Sequence, residues 1–169
     1  MTPRLGIFKE NRNAFLPFLA TEWSACFDLK ACLFPTAIIK KRTGANVEIE
    51  DVVGHEKKII IAFQDRVLIP TGLIFDIPEG HSVRLHPRSG LALNNGVTLA
   101  NAEGVIDADY VLPVFVLLIN NSNIPFVVKH GDRICQCELI KVVHMEVVEI
   151  HDAPEQKSNR SGGFGSTGI

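Results

Sequence analysis

"IPFVVKHGDRICQCELIKVVHMEVVEI", residues 124–150, is two β-branched runs separated by a Gly-Asp pair. Val, Ile and Phe suit the pleated, half-buried surface of a strand, and Gly131 with Asp132 supplies a turn. Cys135 and Cys137 lie two apart on the second run, which puts both thiols on one face. Without a second pair at ligand spacing they read as core thiols. Working outward, the same texture recurs in "KKIIIAF" (57–63), "RVLIPTGLIFDI" (66–77), "HSVRLH" (81–86), "NNGVTLA" (94–100) and "VLPVFVLLIN" (111–120). Turn-formers punctuate the runs at 72, 80, 90, 96, 104, 122 and 131. No window keeps a helical apolar face beyond a turn or two after Ser89. Many short strands at regular spacing predict an all-β sandwich, jelly roll or barrel.

At 169 residues and 46% hydrophobic composition, the chain is long enough to bury one real core. Lys and Arg number 17 against 19 acids, a net charge of −2 that argues against a broad nucleic-acid-binding face. No apolar run approaches membrane-spanning length, and the N-terminal stretch has no signal-like apolar region. Four cysteines without signs of secretion imply reduced thiols and an intracellular, soluble location. Residues 1–150 are expected to form the β core. Within them, 36–58 mixes basic and acidic clusters like a surface hairpin or insertion. Residues 151–159 read as a linker, and 160–169, "RSGGFGSTGI", as a flexible glycine-rich arm.

The common enzyme signatures are missing: no HExxH, no zinc-deaminase pairing, no G-x-S-x-G and no Walker A. Polar clusters stand out instead. "HPRSGLA" (86–92) places Arg88, Ser89 and Gly90 where a strand leads into a helical turn: either a simple capped turn, or a guanidinium, a hydroxyl and free N–H groups suited to phosphate oxygens. "LANAEGVIDADY" (99–110) reads as a hairpin, with Asn101 before the tip and Gly104 at an expected positive φ. Unless a bulge intervenes, Asp107 and Asp109 then fall on one strand face and Tyr110 on the other; such paired carboxylates hold water or Mg²⁺ or simply mark a solvated face. "GDRICQ" (131–136) carries Gln136 as a polar residue within a strand, and "FDLKA" (27–31) adds Asp28.

Together these clusters resemble the five motifs of the trimeric dUTP diphosphatase (dUTPase) family. "LPFLATEWSACFDLKA" (16–31) resembles the first, "PRSGLA" (87–92) the second and "NAEGVIDADY" (101–110) the third. "GDRICQ" (131–136) resembles the fourth and "RSGGFGSTG" (160–168) the fifth. The resemblance implies a jelly-roll-like dUTPase fold, a homotrimer whose C-terminal arm is exchanged between subunits, and active sites shared between them. It implies hydrolysis of dUTP to dUMP and pyrophosphate with Mg²⁺. Asp107 is then the catalytic base that activates water for attack on the α-phosphorus; a carboxylate is ionised at neutral pH. Asn101, the main chain of Gly104, Val105 and Ile106, and a contact near Phe115 would read the base. Tyr110 would pack on the deoxyribose and Phe164 stack on uracil. A backbone donor matched to uracil would meet the amino group of cytosine, and the unpaired donor costs about 1–3 kcal/mol. Arg88, Ser89, Gly90, Gln136, Arg160, Gly165, Ser166 and Thr167 would hold the phosphates, and Asp28 would reach the metal through water.

The sequence departs from the family at Trp23 and Cys26, where small residues are usual, and in "VLP" after Tyr110. The related dCTP deaminases place a catalytic glutamate where this chain has Leu118, which cannot shuttle a proton. A regulatory nucleotide-binding protein that engages a protein partner through 36–58 is the alternative from another class. The expected partners are therefore dUTP, two further copies of the chain and a protein at 36–58, without membrane or direct nucleic-acid binding.

Overall fold

The computed structural model describes residues 2–34, 38–43, 46–51, 58–159 and 162, the segments 38–43 and 46–51 by backbone alone. Arg160, Phe164, Gly165, Ser166 and Thr167, expected on the closing arm, lie outside the described residues. Among those described, the chain forms β1 (Gly6–Lys9), β2 (Phe27–Lys30), β3 (Ile38–Thr43), β4 (Asn46–Asp51), β5 (Lys58–Ile61), β6 (Arg66–Pro70) and β7 (Leu73–Asp76). There follow β8 (His81–His86), helix α1 (Ser89–Asn95), β9 (Val97–Leu99), β10 (Gly104–Ile106), β11 (Phe115–Asn120), β12 (Phe126–Lys129) and β13 (Arg133–Lys141). The protein is nearly all β, with one seven-residue helix, as the run-and-turn texture predicts.

Two larger antiparallel sheets carry the architecture, one in the order β10-β8-β13-β2 and the other β4-β3-β6-β11-β9; β1 pairs with β7 and β12 with β5. Strand alternation builds the core. Val67 and Ile69 of β6, Val116 and Leu118 of β11, Val83 and Leu85 of β8, and Cys135 and Cys137 of β13 are all buried. Buried polar groups are matched within this core. The Asn120 side-chain amide donates to the carbonyls of Ile61 and Ile124, and the Thr71 hydroxyl donates to the Val114 carbonyl at 2.7 Å. Helix α1 ends at Gly96, whose left-handed φ of 66° and close approach to Ser122 both exclude a Cβ.

Three local expectations change. The 99–110 segment is not a hairpin: β9 pairs with β11 and β10 with β8, so the chain crosses from the edge of one sheet to the edge of the other. Gly104 does not take a positive φ; that conformation falls on Ala102, at 58°. Glycine is needed at 104 because a Cβ there would lie 2.9 Å from Leu85 Cβ. Asp107 and Asp109 do not share a strand face, since β10 ends at Ile106 and the Tyr110 N–H donates to the Asp107 carbonyl across a turn.

In the 36–58 stretch, β3 and β4 pair as a hairpin, and β3 also pairs with β6, extending the five-stranded sheet. Residues 142–150 have strand composition but no strand pairing among the described residues, and they expose Val143, Met145, Val147 and Ile150. A strand forms only where a second edge meets it, and composition does not supply one. No helix among the described residues is long and apolar enough to cross a membrane.

Candidate functional site

The crossover from β9 to β10 makes a cavity. About 350 Å³ in volume, it is lined by Asn101, Gly104, Val105, Ile106, Asp107, Tyr110 and Phe115, with Leu68, Leu85 and Val114 behind them. Every base- and sugar-side residue expected from the sequence within the described chain lies on this wall, together with Asp107. The cavity opens where β10 is the outermost strand of its sheet. An edge strand spends half its backbone N–H and C=O groups on its neighbour and leaves the rest free, so β10 has main-chain donors and acceptors to offer. Apolar walls with a few polar groups at fixed places are what a flat heteroaromatic ring requires. The Tyr110 hydroxyl donates to the Pro113 carbonyl at 3.1 Å, so the "VLP" departure braces the ring by its backbone.

A second group of residues gathers on the outer face of β2 and β13. Gln136 lies directly opposite Asp28, which puts both side chains on the same face of the sheet. Asp28 takes a hydrogen bond from Arg133 Nη1 to Oδ2 at 3.1 Å, and its Oδ1 lies 3.1 Å from Arg88 Nε. That second contact is an ion pair without hydrogen-bond alignment, leaving Oδ1 buried and unbonded among the described residues. Arg88 also donates from Nη1 to the Arg133 carbonyl at 3.0 Å. With its side chain turned to Asp28, Arg88 occupies the N-cap of α1 without capping it, and Ser89 and Gly90 are exposed beyond it. The first N–H groups of a helix lack intrahelical partners and are available to an anion. Neither Asp28, Arg88, Ser89, Gly90 nor Gln136 lines the β10 cavity. One chain thus presents the two expected halves of a site as separate groups of residues.

Arg133 is a member of this cluster that the motif comparison left unassigned, and its pairing with Asp28 becomes visible only through the β2–β13 register. Beside it, a hollow of about 250 Å³ is walled by Phe15, Leu16, Pro17, Phe18 and Ala20 and floored by Asp28, Lys30 and Arg133. His130 holds the loop that forms this wall. Its Nδ1 accepts the Leu33 N–H at 3.1 Å, and its ring packs on Phe15 and Phe34. Burial lowers the His130 pKa, which favours the neutral ring that this bond requires.

The thiols fit the core role. Cys135 and Cys137 Sγ lie 4.0 Å apart, and burial, then Cys135, raise the Cys137 pKa well above its ordinary value. No group of three or more His, Cys, Asp or Glu among the described residues is arranged to hold a metal ion. Asp28 carries two guanidinium partners, so direct ligation of a dication there would set three positive groups around one carboxylate. Its oxygens retain lone pairs for a metal-bound water, so the residues fit a hydrated cation arriving with a polyphosphate.

Free main-chain edges suit a nucleobase and paired guanidiniums suit phosphates, so the class is a β-fold nucleotide-binding protein. The dUTPase family model matches residues 49–168, and the chain belongs to the dUTPase family. The deoxyuridine 5'-triphosphate nucleotidohydrolase of Nautilia profundicola is 39% identical over 165 residues, 98% of this chain and 99% of that protein. Among solved structures, the dUTPase of Staphylococcus bacteriophage 80alpha with dUPNHPP matches at a TM-score of 0.72 and 20% identity, covering 99% and 100% of the two chains. A mutant dUTPase from phage phi11 of S. aureus, described with coordination of a structural Mg(II) ion, matches at 0.69 and 16% identity over 90% and 99%. At those identities the structural likeness is one of fold.

Proposed function

We propose that this protein hydrolyses dUTP to dUMP and pyrophosphate, limiting uracil incorporation into DNA and supplying dUMP for dTMP synthesis. The observation that carries this reading is the β10 cavity, which brings Asn101, Gly104, Val105, Ile106, Tyr110 and Phe115 together with the Asp107 carboxylate. Uracil enters against the free edge of β10, where main-chain donors favour its carbonyls over the amino group of cytosine. Tyr110, fixed through Pro113, packs on the deoxyribose and leaves no room for a 2′-hydroxyl. Asp107 accepts a proton from the attacking water and holds it in line with the α-phosphorus. Arg88, Ser89, Gly90 and Gln136 hold the phosphates. Phe164 closes over the base, while Arg160, Gly165, Ser166 and Thr167 wrap the terminal phosphates.

Mg²⁺ is the cation this chemistry takes; when bound it neutralises phosphate charge and polarises the phosphoryl oxygens, with Asp28 as an outer-sphere anchor. The phosphate cluster lies outside the lining of the base cavity in one chain. A homotrimer that apposes the two halves from different subunits therefore supplies complete sites. The unpaired 142–150 segment, with its row of exposed Val, Met and Ile side chains, is suited to lie on a neighbouring subunit and lead the arm there.

The test is pyrophosphate release from dUTP, dCTP, dTTP and UTP with Mg²⁺, for the wild type and Asp107→Asn. Turnover of dUTP alone is expected, with kcat lowered about 10²–10⁴-fold in the variant. Absence of dUTP turnover by the wild type would overturn the proposal.

A further inference from the structure

We propose that Glu103 is a positioning residue for the turn that reads the base, clamped onto the sheet by Arg84, and that this clamp sets nucleotide affinity and base choice. The inference rests on the reading of the β10 cavity as the base pocket. It starts from the backbone of the turn itself. Ala102 holds a φ of 58°, a left-handed conformation that residues other than Gly, Asn and Asp rarely adopt. Ala102 N–H donates to the Leu99 carbonyl at 3.2 Å, and Glu103 N–H donates to the Asn101 carbonyl at 2.6 Å. Asn101 therefore sits in a tight, unfavourable turn. Such a conformation persists only where its surroundings over-determine it.

Glu103 provides that restraint. Its Oε2 lies 3.3 Å from Arg84 Nη1 and its Oε1 3.7 Å from His86 Nδ1, while His86 Nε2 lies 3.1 Å from Glu138 Oε1. The register explains how the chain of contacts spans three strands. Arg84 of β8 lies opposite Val105 of β10 on one side and Glu138 of β13 on the other, and His86 lies opposite Gln136. All four side chains are part-exposed on the outer face of the sheet, and Arg84 Nε is buried without a hydrogen-bond partner among the described residues. Arg84 Nη1 thus donates to Glu103, and that bond holds Glu103 in place. The base turn is tied in this way to the strand that carries Gln136, and hence to the phosphate side of the same chain. Glu103 itself does not line the cavity. It acts through Asn101.

The experiment is steady-state kinetics of the full chain on dUTP and dCTP for Glu103→Ala, Glu103→Gln and Asn101→Ala, with a thermal melt of each. Glu103→Ala is expected to raise KM for dUTP about five- to tenfold with kcat within about twofold, the pattern of lost uniform binding. It should also narrow the ratio of kcat/KM between dUTP and dCTP. Glu103→Gln keeps a hydrogen-bond acceptor for Arg84 and is expected to recover most of the loss. If Asn101→Ala leaves the base ratio unchanged, the base-pocket reading fails and the inference with it. If Asn101→Ala narrows the ratio while Glu103→Ala leaves KM within twofold, the clamp alone is overturned. A melt lowered in Glu103→Ala with KM and base ratio unchanged would mark a merely structural ion pair and also overturn it. Should Glu103→Ala fail to fold, Arg84→Gln breaks the same pair from the β8 side; an unchanged KM in that variant would overturn the clamp.

Discussion

A single methyl group added at Gly90 separates what the fold needs from what the ligand needs. Gly90 is the second residue of α1, it is exposed, and its φ is not positive. A Cβ built there meets nothing within 4 Å among the described residues. Nothing in the packing of those residues therefore requires glycine at that position. On helix propensity, alanine should stabilise α1 by about 0.5–1 kcal/mol, reduced from the interior value because the site is in the first turn. For a chain of this size that is a rise of about 1–3 °C in Tm. On the proposed function, the same methyl occupies the path by which phosphate oxygens approach the N–H groups at the helix start. A displacement of the phosphate chain by about 1 Å costs about a hundredfold in rate. Gly90→Ala should thus be more stable and much less active, a combination that general damage to the fold does not produce. Differential scanning fluorimetry and pyrophosphate release from dUTP read the two effects. Wild-type kcat/KM in the variant would refute the approach of phosphate to Gly90. A fall in both Tm and activity would refute the open space, and would place a neighbouring subunit against the residue.

Two further outcomes follow from individual contacts. Burial lowers the His130 pKa, so the unfolded chain takes up the proton more readily than the folded one. This contribution is undiminished above the unfolded value of about 6.5 and is lost as pH falls from there toward the folded value; Tm measured between pH 7 and 5 should fall in the wild type and fall less in His130→Gln. Tyr110→Phe removes the hydroxyl bond to the Pro113 carbonyl, worth about 0.5–1.5 kcal/mol, and should lower Tm by about 1–6 °C and raise KM for dUTP by up to about tenfold.

Much of the fold is legible in the chain because strand alternation and turn residues are local signals. Val67 and Ile69, Val116 and Leu118, and Cys135 and Cys137 bury the residues that a period of two selects. The helix start after Arg88 is legible for the same reason. Partner choice is not local. "LANAEGVIDADY" looks like a hairpin because nothing in its pattern tells that β9 finds β11 while β10 finds β8. "DADY" alternates as a strand does, yet the Tyr110 N–H closes a turn on the Asp107 carbonyl. At Gly104 the sequence pattern points to glycine but not to its cause, since glycine serves both positive φ and close approach, and only the distance to Leu85 distinguishes them. Glu103, Arg84, His86 and Glu138 give no signal as a group, because their meeting depends on the register of three strands.

The same dependence on register resolves an electrostatic puzzle. The chain carries a net charge of −2, and a nucleoside triphosphate is strongly anionic. Long-range steering is screened beyond about 8 Å at physiological salt, so capture has to be local. Around Asp28 two guanidiniums face one carboxylate, which leaves one surplus positive charge, with Lys30 on the wall of the adjoining hollow. Two guanidiniums alone would repel each other and swing into solvent. Asp28 instead fixes Arg88 and Arg133 at 3.1 Å each, and the bond from Arg88 to the Arg133 carbonyl locks their relative position. The carboxylate lowers the gross attraction for phosphate but removes the entropy of ordering two long side chains at the moment of binding. On the proposed function, the remaining negative charge of the substrate is left to the cation it brings, so a triphosphate site built on these residues would not need a dense cage of carboxylates.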